Sequence, residues 1–248
     1  MAQRQKLAPH AAAMVANVPA DLGISPDSVN IKDKANERLG YVVRQKAIEA
    51  RAVSSNVRAE SGQQPGARPD QARVFFALWP QPEVARYLAD VADSVATRAG
   101  GRATGQEAIH LTLAFIGDVA IERLPDLERA AREVRCEAFA LTLDRFGVWR
   151  HNRIFHAGCS VPPAALAALS AALTAALWTA GFAVADARRT FIPHVTLVRK
   201  LVALDAELPE CEPVAWSSRQ FVLVRSTPSA HGSSYRTIAQ FPLLAGSR

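Results

Sequence analysis

The stretch HLTLAFIGDV at residues 110–119 and its shorter counterpart HVTLVRK at residues 194–200 decide how this chain is read. Both open on His-x-Thr-Leu, as His110-Leu111-Thr112-Leu113 and His194-Val195-Thr196-Leu197. Their β-branched and apolar content predicts strands, on which alternate side chains share a face. His110 and Thr112 then point one way, and Leu111 and Leu113 the other. The second copy repeats the division with His194 and Thr196 against Val195 and Leu197. The apolar face enters a core, while imidazole and hydroxyl line a cleft. The chain has six histidines and ten threonines in 248 residues. Two copies of one spacing therefore point to paired use rather than to two unrelated structural histidines.

The flanking sequence supplies the rest of an α+β domain. RVFFALWP, residues 73–80, is a buried strand closed by Pro80. PEVARYLADVADSVATRA, residues 82–99, runs at helical spacing from Pro82 to the Gly100-Gly101 pair. Residues 122–135 are charged and helical. AFALTLDRFGVW (138–149) and RIFHAGCSV (153–161) predict a hairpin turning near Arg150–Asn152. PAALAALSAALTAALWTA (163–180) is an Ala/Leu helix stopped by Gly181, and FVLVRS (221–226) and RTIAQFPL (236–243) close the chain as strands. This order indicates α+β with mixed or antiparallel sheets.

Of 17 Phe, Trp and Tyr residues, only Tyr41 precedes residue 71. Cores need large apolar side chains. The reading is therefore a folded domain over residues 73–248 behind an N-terminal extension, residues 1–72. Residues 31–53 of that extension carry a helical stripe, and residues 54–72 read as a flexible linker. No catalytic group is identifiable there. The formal net charge is +6, spread evenly over both parts without a run of four Lys/Arg. It is compatible with a polyanionic partner but does not identify one. Cys136, Cys159 and Cys211 are odd in number and widely spaced, with no CxxC. That argues against a disulfide framework or structural zinc and fits a reducing cytosol. No apolar run reaches the roughly 18–20 residues of a membrane span. A soluble, cytoplasmic monomer is expected.

Two imidazoles flanking a phosphorus atom suit in-line displacement, one accepting a proton from water and the other protonating the departing alkoxide. Thr112 and Thr196 hydroxyls can bond phosphoryl oxygens, and Arg199 can stabilise charge on them. Metal catalysis is the main rival. It lacks a third ligand, since there is no HExxH and Asp118 falls past the strand. No metal and no cofactor are expected. Phe75 and Phe76 are candidates for stacking on a base, with core packing as the competing use. Trp149, Arg150 and Arg153 are candidate nucleic-acid contacts at the hairpin turn, by stacking and charge, with a solvated turn as the equal alternative. His151, His156 and His231 lack the motif and are read as structural or surface residues.

These residues resemble the two-histidine phosphoesterases, in particular the branch of RNA 2′,3′-cyclic phosphodiesterases also called 2′-5′ RNA ligases. The likeness runs through RVFFALWP, IHLTLAFIGDV, RFGVWRHNRIFHAG, RRTFIPHVTLVRK and the closing strands, over about residues 73–243. It implies a bilobal α+β fold with two antiparallel or mixed sheets, pseudo-twofold symmetry around a central cleft, and helices outside. It also implies hydrolysis of RNA 2′,3′-cyclic phosphate ends to 2′-phosphates. By that analogy His194 is general base, His110 is general acid, and Thr112, Thr196 and Arg199 hold the phosphate. The two histidine roles are interchangeable on sequence alone. Two features depart from the pattern: Ile192 occupies a position often basic, with Arg189 nearby, and the N-terminal extension is foreign to it. Alternatives with the same site are another cyclic-phosphate phosphodiesterase or a reversible 2′-5′ RNA ligase. A non-catalytic RNA-end-binding module is the alternative from another class.

Overall fold

The computed structural model describes residues 70–185, 187, 190–205, 207–229 and 232–245. The helical stripe and linker read within residues 1–69 lie outside these, as do Arg189 and His231.

A strand–helix–strand unit occurs twice. The first is β1 (Gln71–Leu78), α1 (Pro82–Ala99), the two-residue β2 (Arg102–Ala103) and β3 (Leu111–Ala120). After α2 (Leu124–Arg132), β4 (Phe139–Leu143) and β5 (Arg145–Trp149), the second is β6 (Ile154–Gly158), α3 (Ala164–Thr179) and β7 (His194–Arg199). Each unit returns antiparallel to its own first strand, β3 against β1 and β7 against β6. Each therefore ends on, or beside, one histidine motif. β8 (Val214–Ser218), β9 (Gln220–Ser229) and β10 (Gly232–Pro242) complete the described elements.

The strands form one eight-stranded sheet in the order β10-β9-β1-β3-β7-β6-β5, with β2 also on β7, and a separate β4-β8 pair. β3 and β7 pair only at Leu111 and Val195, and β2 extends the junction on β7 through Arg102–Arg199 and Ala103–Val198. The lobes expected from sequence are thus joined by a short seam, and its Leu111–Val195 pair brings the two motifs side by side.

The helices cross over it. α1 lies against β7 and α3 against β3. Thr104 N–H donates to the Leu197 carbonyl, and the buried Ser170 hydroxyl donates to the Leu113 carbonyl. α1 begins on Pro82 and buries Val84, Leu88, Ala92, Val95 and Ala99 at helical spacing. It stops at Gly100, whose φ of 70° suits glycine. α3 buries Leu166, Leu169, Leu173 and Leu177 in the same way. No described helix is long and apolar enough to cross a membrane.

Two local readings change. AFALTLDRFGVW is two strands rather than one. Asp144 breaks it by accepting hydrogen bonds from the Ser160 backbone N–H (2.7 Å) and hydroxyl, so β4 leaves for β8 while β5 continues the large sheet. The strand VAWSS at 214–218 has too short an alternation to read from sequence. It buries Trp216 completely opposite Leu141.

Candidate active site

The seam fixes the site. Leu111 is level with Val195, so the flanking His110 and Thr112 on one side and His194 and Thr196 on the other project from the same face of the sheet. Leu111, Leu113, Val195 and Leu197 are buried on the far face, while His110, Thr112, His194 and Thr196 are half-buried on the near one. His194 opens β7, whereas His110 sits one residue ahead of β3, after the 3₁₀ turn Gln106–Ala108.

The two imidazoles are held alike. His110 Nδ1 lies 2.7 Å from the Ala108 carbonyl and His194 Nδ1 lies 2.9 Å from the Ile192 carbonyl, two residues back in each case. A carbonyl can only accept, so these contacts assign the proton to Nδ1 and leave Nε2 as the basic nitrogen in both rings. Burial pushes the His110 pKa down to about 4; the Ala108 carbonyl opposes this, and the charges of Arg199 and His194 add to it. Burial also lowers His194, opposed by the Ile192 carbonyl and reinforced by Arg199. Arg199 ends β7, and its charge reaches both rings. It has no acidic partner within ion-pair distance among the described residues. Its guanidinium is thereby available to an anion.

Aromatic rings wall each histidine. On the first side the Phe75, Tyr235 and Trp79 centroids lie 4.9, 5.1 and 5.4 Å from that of His110. Trp79 Nε1–H donates to the Thr237 hydroxyl at 3.1 Å, which anchors the indole. On the second side Trp149 meets His194 edge-on at 4.4 Å and stacks on His156 at 4.2 Å.

The other sequence candidates separate. Phe75 is buried beneath His110 against Phe115 and Tyr235. Phe76 faces the opposite way and is fully buried between Phe221 and Phe241. Core packing therefore takes Phe76 away from the cleft, and Phe75 supports His110 from below. Arg150 pairs with Asp205, and Arg153 Nε–H donates to the Leu201 carbonyl at 2.7 Å, so both brace the hairpin. Ile192 is exposed and contributes its carbonyl to His194. His156 is level with Thr196 across β6 and β7 and so lies on the cleft face, contrary to its sequence reading. Its signal was strand alternation: His156 and Gly158 share a face once Ala157 is placed in the core. Trp79 and Tyr235 had no motif to mark them. Among the described residues no group of three or more His, Cys, Asp or Glu could hold a metal ion.

Two imidazoles with matched carbonyl anchors, paired threonines and an unpaired arginine are thus gathered on one face of the sheet. The LigT like phosphoesterase family model matches residues 78–156. The RNA 2′,3′-cyclic phosphodiesterase of Escherichia coli strain K12 is 32% identical over 127 residues, covering 51% of this chain and 71% of that protein. The chain belongs to the LigT-like phosphoesterase family. A crystal structure of E. coli LigT complexed with 3′-AMP matches with a TM-score of 0.64 at 27% identity, covering 70% of this chain and 98% of that one. The TT0787 protein of Thermus thermophilus matches with a TM-score of 0.58 at 26% identity, covering 71% and 100%.

A different family matches the N-terminal segment. The YgbB family model matches residues 1–56. The 2-C-methyl-D-erythritol 2,4-cyclodiphosphate synthase of Dechloromonas aromatica strain RCB is 74% identical over 54 residues, covering 22% of this chain and 34% of that protein. The Ralstonia pickettii strain 12J enzyme of the same name is 48% identical over 64 residues, 26% of this chain and 38% of that protein. The chain thus spans about a third of the length of these curated relatives.

Proposed function

We propose that this protein opens 2′,3′-cyclic phosphate ends on RNA to 2′-phosphomonoesters, without a metal, by acid/base catalysis between His110 and His194. The observation that carries the reading is the matched pair: two imidazoles on neighbouring strands, each with Nδ1 tied to the carbonyl two residues back and Nε2 left to exchange a proton. His194 Nε2 takes a proton from water as the water oxygen bonds to phosphorus. The P–O3′ bond breaks, and His110 Nε2 delivers its proton to O3′. The product is a 2′-phosphate with a free 3′-hydroxyl. Thr112, Thr196 and Arg199 hold the non-bridging oxygens, where charge accumulates in the transition state. With a 5′-hydroxyl as the nucleophile in place of water, the same ring opening would form a 2′-5′ linkage and free the 3′-hydroxyl. The three cysteines of the chain are free thiols, which suits a reducing cytosol.

The test is turnover of a 2′,3′-cyclic-ended oligoribonucleotide in excess EDTA. Full turnover is expected; a loss that added zinc restores would transfer the chemistry to a metal, and binding without turnover would leave a recognition module.

The pH dependence follows from the lowered imidazoles. Catalysis needs one ring protonated and the other neutral. In the free enzyme both become protonated toward pH 4, where His110 titrates. Both are neutral well above His194, which lies below the ordinary value of about 6.5. The profile of kcat/KM is therefore a bell whose limbs both fall on the acid side of about 6.5, and the two values belong to the coupled pair. A bound phosphate anion favours the charged imidazole and shifts the kcat profile upward. Steady-state rates from pH 3.5 to 9 read both curves. A kcat/KM profile flat through pH 5–7 would contradict the assignment.

A further inference from the structure

The face that carries His194 and Thr196 continues over two more strands, and nothing in the reaction above uses what stands there. Residues directly opposite in an antiparallel pair share a face. His194 is level with Gly158, and Gly158 with Arg145; Thr196 is level with His156, and His156 with Gly147. The glycines are filled by their neighbours. A Cβ on Gly158 would stand 3.5 Å from Arg145 Nε and 3.7 Å from the Pro193 carbonyl oxygen, so the Arg145 side chain lies along Gly158 toward the segment carrying His194. A Cβ on Gly147 would stand 3.0 Å from His156 Cε1 and 3.2 Å from its Nε2, so the His156 ring packs on Gly147. Trp149 stacks on that ring, with 29° between the planes, and the His156 centroid is 6.1 Å from that of His194.

Arg145 has no acidic group within ion-pair distance among the described residues. His156 Nδ1 is buried with no side-chain hydrogen-bond partner, and among hydrogen-bonding groups only the Ile154 backbone carbonyl acts on the ring. Burial, followed by the charges of His194 and Arg145, lowers the His156 pKa to about 4, with the Ile154 carbonyl opposing the shift. The ring is therefore neutral at pH 7. The stripe thus combines an unpaired guanidinium, a neutral imidazole and an indole, the set that binds a phosphodiester and its base on a single strand.

We propose that Arg145 and His156 form a second phosphate subsite beside His194, which takes the internucleotide phosphodiester preceding the cyclic end. A cyclic phosphate terminates its strand at the 3′ side, so any further phosphate lies on the 5′ side, and a 2′,3′-cyclic mononucleotide has none. The subsite therefore selects RNA ends over cyclic mononucleotides. This rests on the cyclic phosphodiesterase reading above and deepens it.

The experiment compares kcat/KM on a 2′,3′-cyclic-ended tetranucleotide with that on the cyclic mononucleotide, for the full-length protein and for Arg145→Gln and His156→Phe. His156→Phe keeps a ring on Trp149 and removes the nitrogens. The expected result is a ratio of tetranucleotide to mononucleotide kcat/KM that falls about tenfold in each variant. A ratio within twofold of wild type overturns the subsite. In parallel, binding of a labelled tetranucleotide ending in a 2′-phosphate is titrated against salt. Arg145→Gln should weaken it and flatten the slope of log K on log salt by about 0.7, the value for one phosphate contact on a single strand. If the wild-type protein opens neither cyclic substrate, the function reading fails. The subsite is then judged on the salt slope alone, and an unchanged slope overturns it.

Discussion

Replacing His110 with Ala lowers kcat on a cyclic-ended RNA by about 10²–10⁴-fold, and replacing His194 does the same, because each removes one proton transfer in the transition state. Neither change should unfold the domain. Both rings sit at the edge of the cleft, and the strands beneath them are held by the buried Leu111, Leu113, Val195 and Leu197. The double variant falls by far less than the product of the two single losses, because the pair acts as a unit. A substrate with sulfur in place of O3′ separates the roles, since a thiolate leaves without an acid. Such a substrate restores turnover in His110→Ala and leaves His194→Ala inactive if His110 is the acid. The opposite pattern exchanges the roles and keeps the pair. Near wild-type kcat in either single variant would remove that histidine from the chemistry.

Arg199→Ala carries the second large effect, a fall in kcat/KM of about 10²–10³-fold, the range for losing one preorganised charge-stabilising group. Arg199 is the unpaired cation whose field lowers both imidazoles, so its removal has a second signature. Both limbs of the kcat/KM bell move to higher pH. Arg199→Lys keeps the charge but loses the planar fork; it should keep the wild-type pH profile while recovering only part of the rate. Steady-state kinetics across pH separates the two. A loss of rate with an unmoved profile in Arg199→Ala would place this arginine away from the histidines.

How much of this was legible in sequence differed from element to element. The duplicated His-x-Thr-Leu identified both motif segments, since period-2 alternation states which side chains share a face. The α1 and α3 helices were equally plain, with Pro82 and Gly181 marking a start and a stop. The break at Asp144 was not legible, because it depends on Ser160, which is 16 residues away in sequence and bonds to it only after folding. The seam at Leu111 and Val195 joins two strands far apart in the chain, and no local pattern encodes a single long-range pair. The same reason hid Trp79, Tyr235 and His156: each is an ordinary residue in or beside a strand until the sheet order places it beside His110 or His194. Phe75 and Phe76 show the converse. Adjacent strand residues must face opposite ways, so both could never have lined the cleft. The likeness of residues 1–56 to another family was also missed, because a single helical stripe at residues 31–53 specifies no family by itself.

The most direct test is the product formed on an oligoribonucleotide ending in a 2′,3′-cyclic phosphate. The end group is resolved by susceptibility to a phosphatase and by chromatography against 2′- and 3′-phosphate standards. The account predicts a 2′-phosphate from the wild-type protein and an unopened ring from His110→Ala and His194→Ala. A 3′-phosphate, or an opened ring in both variants, would contradict it.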